Sequence, residues 1–132
     1  MTERSAAIVG VGYTEFSRAS GRSVLDLAHA ASAAALADAG IAAHAVDGIG
    51  SFMVMHDSVK CQAVATTLAV DGLRWSVDLD LGGQAPCHLV GLAASAIATG
   101  HADTVVLYRA MNGRSGPRVG TMAFDGPAAA WR

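Results

Sequence analysis

Charged side chains are scarce in this sequence, and its central stretch has none. Only 15% of the 132 residues are Asp, Glu, Lys or Arg, whereas 52% are hydrophobic, and residues 81–102 contain no charged type at all. A chain of this length cannot easily cover so much apolar material. We therefore expect one compact domain, or a piece of a larger one, with some apolar surface that meets another domain or subunit.

A basic patch is also missing. The formal net charge is -2 at pH 7, and Lys60 is the only lysine among nine basic residues. The sequence therefore lacks the excess of positive charge that nucleic-acid binding requires. It also contains no basic amphipathic helix of the kind that binds a membrane surface. The uncharged stretch 81–102 is long enough to cross a bilayer, but it is rich in Ala and Gly and lacks the Leu, Ile and Phe density that insertion requires. We predict neither a nucleic-acid partner nor a membrane partner.

Cysteine is sparse, because only Cys61 and Cys87 are present and they have no CxxC spacing. That excludes a disulfide framework and favours a reducing, cytoplasmic location. The first residues lack a basic region followed by a long apolar core, so no export is expected. The five histidines show neither HxH nor HxxxH spacing, which predicts no metal site.

The uncharged stretch itself predicts a helix that begins near Gln84. Apolar residues recur at helical spacing on both sides of it, which is typical of a buried helix. Pro86 is compatible with a first turn, and Gly100 marks the end. Gly82 and Gly83 give a tight entry where backbone can approach a ligand closely. The N–H groups at such a helix start stabilise an anion or a developing negative charge.

The rest of the chain alternates between segments with strand and helix patterns. The predicted strands are 6–11, 46–54, 74–81 and 104–108, and the predicted helices are 23–39, 58–68 and 84–100. The order β-α-β-α-β-α-β predicts an α/β fold in which helices pack on a mostly parallel sheet, with the uncharged helix buried at the centre. We assign residues 1–110 to this core. Residues 111–132 are rich in Gly and Pro and have no sustained period, so we interpret them as a loop-rich, apparently truncated extension.

Three local motifs suggest chemistry, and each has a plainer interpretation. Gly10-Val11-Gly12 resembles the start of a dinucleotide fingerprint, but the third glycine position falls on Glu15 and the next helix starts too late. Cys87-His88 cannot form a nucleophile–base pair, since neighbours on a helix point about 100° apart, and a small buried thiol is the ordinary interpretation of Cys87. The arginines after the last strand suit a phosphate or carboxylate, but a solvated loop is an equally good interpretation; they are Arg109, Arg114 and Arg118.

Taken together, several segments resemble the N-terminal part of the thiolase superfamily, in particular its lipid-transfer-protein-like (SCP2-thiolase-like) branch. The matching segments are AIVGVGYTEFSR, SVLDLAHAASAAALADAGI, VDGIGSF, GG-x(13)-Ile97-x-x-Gly100 and VVLYRAMNGRSG. The resemblance covers most of the 132 residues but only roughly the first third of a full family member. It implies a thiolase-like N-terminal half.

The resemblance includes one departure that bears on chemistry. In true thiolases the acyl-accepting cysteine sits at the N-terminus of the buried helix, where the helix dipole favours the thiolate. Counting back from the Ile-x-x-Gly end, that position falls on Gly83. Cys87 lies one turn further in and cannot simply replace it. Covalent acyl transfer is therefore not expected.

The branch without this cysteine includes aldolases that cleave the side chain of steroid-type acyl-CoA thioesters. The resemblance implies a retro-aldol reaction, with acid/base residues that come from a C-terminal half and are absent here. It also implies that Gly82 and Gly83 offer N–H groups to the thioester oxygen and that Asn112 lines the pocket. Coenzyme A would be part of the substrate, and no bound cofactor is expected.

The resemblance implies partners as well. We expect a homodimer in which the strand Trp75–Leu79 pairs with its mate, and a small OB-fold, zinc-ribbon partner of the DUF35 type. The chain alone is predicted to be inactive. Two alternatives stay open: a non-catalytic acyl-CoA or lipid-binding protein, and a divergent acyltransferase that uses Cys87.

Overall fold

The computed structural model describes residues 4–114 and contains one parallel three-stranded sheet in that range. Strand β1 is central and pairs in parallel with β2 on one side and β3 on the other. Two α-helices connect the strands, and a third α-helix and a short 3-10 helix precede the first strand. In chain order the elements are α1 Val24–Ala39, the 3-10 helix Ala43–Ala45, β1 Gly48–Met53, α2 Cys61–Thr67, β2 Trp75–Asp80, α3 Ala85–Ala98 and β3 Val105–Tyr108. The predicted α/β fold with a parallel sheet is confirmed.

Helix α1 begins and ends where the sequence predicts. The Ser23 side chain accepts a hydrogen bond from the Asp26 backbone N–H at 3.1 Å, which satisfies one of the free donors of the first turn. At the other end Gly40 has a φ of 67° and donates its N–H to Ala37. Both signals are local in sequence, so the predicted helix is confirmed to within one residue.

The helices lie on both faces of the sheet. Successive residues of a strand point to opposite faces. Ile49 belongs to the main apolar cluster with residues of α1 and α2, whereas the space above Gly50 is filled by Leu89 of α3. The structure is therefore a three-layer arrangement with β1 in the middle.

Helix α2 begins later than predicted, because a distant carboxylate sets its start. The sequence favours Asp57 or Ser58, but the first helical residue is Cys61 and Lys60 makes no side-chain cap. Asp78 of β2 instead accepts the Cys61 N–H at 3.0 Å and the Ser51 hydroxyl at 2.7 Å. The Ser51 side chain is fully buried, so this carboxylate satisfies a polar group at the centre of the fold.

The first predicted strand is wrong, since residues 6–11 form no strand in the described chain. This segment runs across α1 instead, and the Val11 N–H donates to an oxygen of Asp38 at 2.9 Å. A Cβ at Gly12 would lie 2.4 Å from the Ala31 carbonyl oxygen, so the backbone approaches the helix too closely for a side chain. The β-branched pattern alone is a weak signal for a strand. Its side chains remain outside, with Ile8 79% exposed.

The same contact explains the glycine pair that resembles a nucleotide-binding motif. Gly10 and Gly12 both lie against backbone atoms of α1, at positions where a Cβ would clash. Their spacing therefore follows from helix packing, which agrees with the rejected dinucleotide interpretation.

Helix α3 is covered on one side only within the described residues. Its sheet-facing side chains are buried; they are Ala85, Leu89, Ala93 and Ala96. The opposite side is exposed at Cys87, Gly91 and Ala98, and Val90 and Leu92, on the two flanks, are 46% and 43% exposed. Complete burial of this helix stays a prediction, and it requires a surface outside residues 4–114.

Two further expectations meet limits of the described region. Residues 115–132 lie outside it, so the boundary of the loop-rich extension remains a prediction. Within residues 4–114, none of the helices combines the length and apolar content that a bilayer crossing demands.

We predict that Gly12→Ala weakens the attachment of the N-terminal segment, because its Cβ would overlap backbone atoms of α1 that cannot move aside. The expected loss in the free energy of unfolding is about 1–3 kcal/mol, measured by urea denaturation together with hydrogen exchange at the Val11 N–H. Gly72→Ala is the matched control, since its Cβ would meet no atom within 4 Å. Equal midpoints and equal protection in the two variants would contradict this packing.

We also predict that Asp78→Ala destabilises the chain by about 1–3 kcal/mol, because it leaves the buried Ser51 hydroxyl and the Cys61 N–H without their acceptor. Asp71→Ala serves as the control at an exposed carboxylate. Chemical denaturation of both variants measures the difference. Indistinguishable stabilities would show that Asp78 does not hold the start of α2.

Candidate active site

The carboxyl ends of the three parallel strands meet at one edge of the sheet. Met53 of β1 is in register with Asp80 of β2, and Tyr108 of β3 lies opposite Ser51. The segments that follow the strands, residues 54–60, 81–84 and 109–114, therefore gather at this edge. Open α/β sheets bind ligands there, and Gly82, Gly83, Arg109 and Asn112 all lie in these segments.

Gly82 and Gly83 lie at the exposed start of α3. The Gly82 carbonyl accepts the Ala85 N–H at 3.0 Å, which closes the turn into the helix. A Cβ at Gly83 would meet nothing within 4 Å, so open space adjoins its backbone. Gln84 makes no side-chain cap, and Pro86 has no N–H in the first turn. The positive end of the helix dipole is thus uncovered in the described chain. Whether these glycines bind a thioester stays a prediction.

The two thiols differ in their surroundings. Cys87 is exposed on α3, so the described residues do not bury it as expected; the sheet-facing stripe begins at Ala85, and Cys87 lies about 200° around the helix from it. Its burial by a surface outside residues 4–114 stays a prediction, as it does for the rest of this side of the helix. Cys61 is buried under the sheet and donates its S–H to the Val77 carbonyl at 3.2 Å. Burial, with a further contribution from Asp78, raises the pKa of Cys61 to about 12. Cys61 is therefore a neutral structural thiol.

Asn112 is fully engaged in contacts with the connector before α1. Its side-chain nitrogen donates to the Arg22 carbonyl at 2.7 Å, and its oxygen accepts from the Ser20 hydroxyl at 3.2 Å. The amide thereby fixes residues 20–22 beside the loop that follows β3. These contacts do not show whether Asn112 also lines a pocket, so that role stays a prediction.

Arg109 is neither a free anion-binding residue nor a solvated one. Its guanidinium donates to Asp57, whose side chain is only 6% exposed, and it lies 5.0 Å above the centre of the Phe52 ring. Arg109 therefore joins the residues after β3 to those after β1. Arg114 is exposed, and Arg118 lies outside the described residues.

Sequence reasoning missed the turn between β1 and α2. Met55 and His56 both have positive φ, at 55° and 61°, and the Asp57 N–H donates to the Val54 carbonyl at 3.3 Å. Turns of this kind favour Asn and Gly at the two inner positions. Met and His there give no turn signal, so pattern reasoning could not find it.

Comparison with known proteins identifies relatives of this chain, although no protein-family profile matches it. A 17-hydroxy-3-oxo-4-pregnene-20-carboxyl-CoA lyase of Mycobacterium tuberculosis is 48% identical over 91% of the chain and 31% of the relative. A steroid side-chain-cleaving aldolase of Thermomonospora curvata is 47% identical over 88% of the chain and 29% of the relative. The chain thus spans about a third of the length of these curated relatives.

Solved structures give the same result. An Ltp2-ChsH2(DUF35) aldolase superposes with a TM-score of 0.84 at 45% identity, over 96% of this chain and 32% of that one. A monomeric SCP2-thiolase-like protein type 1 of Mycobacterium smegmatis has a TM-score of 0.61 at 33% identity, over 76% of this chain and 22% of that one. The chain therefore belongs to the thiolase superfamily, in the SCP2-thiolase-like branch that contains the steroid side-chain aldolases.

Proposed function

We propose that this chain supplies part of the substrate site of a carbon-carbon lyase that cleaves the side chain of steroid acyl-CoA thioesters. The observation that carries the proposal is its 45% identity, over nearly its whole length, to the Ltp2-ChsH2(DUF35) aldolase. The glycine at position 83 is consistent with it, because a lyase of this kind needs no nucleophile at the start of α3. As the family resemblance implies, we place the acid/base groups in the part of the relatives that this chain does not span.

The chemistry is a retro-aldol cleavage of a β-hydroxyacyl thioester. A base removes the hydroxyl proton, the oxygen becomes a ketone, and the bond between the α and β carbons breaks. The electron pair of that bond passes to the thioester, giving an enolate that is then protonated at the α carbon. The name of the mycobacterial relative gives 17-hydroxy-3-oxo-4-pregnene-20-carboxyl-CoA as its substrate. Cleavage of this thioester would give a steroid ketone and propanoyl-CoA.

The start of α3 has the properties that stabilise such an enolate. Gly82 and Gly83 are exposed residues just before the positive end of a 14-residue helix, and backbone N–H donors at such a place are worth most where negative charge develops. Asn112 contributes by holding residues 20–22 in place at the rim of the site. Coenzyme A enters as part of the substrate, and we propose no other cofactor.

A second candidate, a non-catalytic acyl-CoA or lipid-binding protein, is favoured by one observation. The carboxylates at the carboxyl edge of the described sheet already bind other groups, since Asp57 holds Arg109 and Asp80 accepts the Met55 N–H. Within residues 4–114 they are therefore not poised as a general base. A binding protein would hold the thioester without cleaving it.

The proposed assembly has two contacts. Strand β2 lies at an edge of the described sheet, so Trp75–Leu79 is available to pair with the same strand of a second copy, which supports a homodimer. A DUF35-type partner with an OB-fold and a zinc ribbon is the second contact, supported by the similarity to an aldolase that contains a DUF35 protein. The cytoplasm remains the expected location.

We predict that the protein, purified from its own source with any chain that accompanies it, releases propanoyl-CoA from 17-hydroxy-3-oxo-4-pregnene-20-carboxyl-CoA, as measured by mass spectrometry. Gly83→Ala should lower kcat/KM about tenfold or more, because the added Cβ would occupy the open space beside the backbone where we place the thioester. It should not lower stability, because that Cβ meets no atom of the chain within 4 Å. Gly72→Ala is the control. Tight binding of the thioester without any cleavage would instead support the binding protein.

We predict that iodoacetamide at neutral pH labels Cys87 rapidly in the isolated chain and leaves Cys61 unlabelled until denaturant is added. The reason is that Cys61 is buried and has a pKa of about 12, whereas Cys87 is exposed. Peptide mapping identifies the labelled site. In the complete enzyme Cys87→Ser should retain its turnover, and complete loss of turnover in that variant would favour the acyltransferase alternative.

A further inference from the structure

The turn Val54–Asp57 is held in a conformation that its residues disfavour. Met55 and His56 follow each other in the left-handed region, where side chains other than Gly and Asn are strained. Ser58, the first residue after the turn, has a hydroxyl that is buried and has no hydrogen-bond partner within residues 4–114. Buried hydroxyls without a partner are uncommon. Two independent features therefore indicate that this segment is not optimised for stability.

Contacts from the ends of all three strands hold this turn. Asp57 accepts the Val54 N–H at 2.9 Å with one oxygen and binds Arg109, which follows β3, with the other. Asp80, the last residue of β2, accepts the Met55 N–H at 3.2 Å. The turn itself follows β1. We call these contacts of Asp57, Asp80 and Arg109 the clamp. Because they involve the ends of all three strands, the edge of the sheet fixes the conformation of Met55 and His56, and the turn's own residues do not.

The clamp also places the turn beside the start of α3. Asp80 contacts Met55 directly, and Gly82 follows Asp80 by two residues, which is at most about 7 Å of extended chain. The His56 side chain is exposed. Among the residues of this turn His56 carries the side chain best able to both donate and accept a hydrogen bond with an uncharged oxygen.

We propose that the strained turn presents His56 to the acyl-CoA thioester and that His56 is a specificity-determining residue, which hydrogen-bonds an oxygen of the bound acyl group. This inference rests on the proposed function, because it takes the start of α3 as the thioester site. Backbone strain is maintained at functional sites when the surrounding structure over-determines it. The sheet edge does so here through Asp57, Asp80 and Arg109.

The test compares two substitutions that relieve the same strain at different places. Ala69 also has a positive φ, at 57°, but it follows α2 away from the strand ends. His56→Gly and Ala69→Gly should therefore both keep or raise the melting temperature, since glycine adopts this conformation freely. The protein is used as its source makes it, with any accompanying chain.

Rapid mixing with 17-hydroxy-3-oxo-4-pregnene-20-carboxyl-CoA, read in the binding phase before cleavage, gives the Kd that decides. We expect His56→Gly to raise the Kd about tenfold and Ala69→Gly to leave it unchanged, with His56→Asn restoring part of the affinity because it keeps a donor and an acceptor. An unchanged Kd in His56→Gly, or a lower melting temperature in that variant, would overturn the inference.

Failure of the lyase proposal has a different signature. If the unsubstituted protein binds the thioester without cleaving it and His56→Gly still binds more weakly, the lyase function fails while the role of His56 stands. If the protein cleaves the substrate and His56→Gly binds as tightly as before, only the role of His56 fails.

Discussion

Hydrogen bonds from backbone N–H groups to aspartate carboxylates hold this structure together. Asp47 accepts the N–H groups of Asp103 and Thr104 ahead of β3, and Asp78 accepts that of Cys61 at the start of α2. Asp57 and Asp80 do the same in the turn after β1. A buried N–H without a partner is costly, and a charged acceptor makes a strong bond. These carboxylates therefore fix the strand ends and loops that regular secondary structure leaves unsatisfied.

Local signals made most of the fold predictable, and non-local contacts account for the rest. The start of α1 follows from Ser23 and Asp26, which are three residues apart. The start of α2 depends on Asp78, seventeen residues beyond Cys61, so no local pattern could place it. The segment 6–11 has the composition of a strand, but composition does not say whether the backbone lies beside a sheet edge. Its backbone instead lies against α1.

The candidate site divides in the same way. Gly82 and Gly83 are visible in the sequence because they precede a long uncharged helix, and the family resemblance assigns them a position. Arg109 binds Asp57, which is fifty-two residues away in the sequence. Because no local pattern shows this partner, sequence reasoning predicts that Arg109 is an anion-binding or solvated residue. The amide of Asn112 contacts Ser20 and Arg22 across the molecule. The turn at Met55 and His56 is dictated by the sheet edge against the preference of its own residues.

The half-covered helix α3 makes the stability of this chain a property of its surroundings. A surface that packs on the exposed side of α3 contacts residues that only the folded helix brings together, so its binding stabilises the fold by mass action. The free energy of unfolding then rises with the logarithm of the concentration of that surface once binding is near saturation. Folding and assembly are consequently linked equilibria, and a melting temperature for this chain has meaning only at a stated concentration of whatever covers α3.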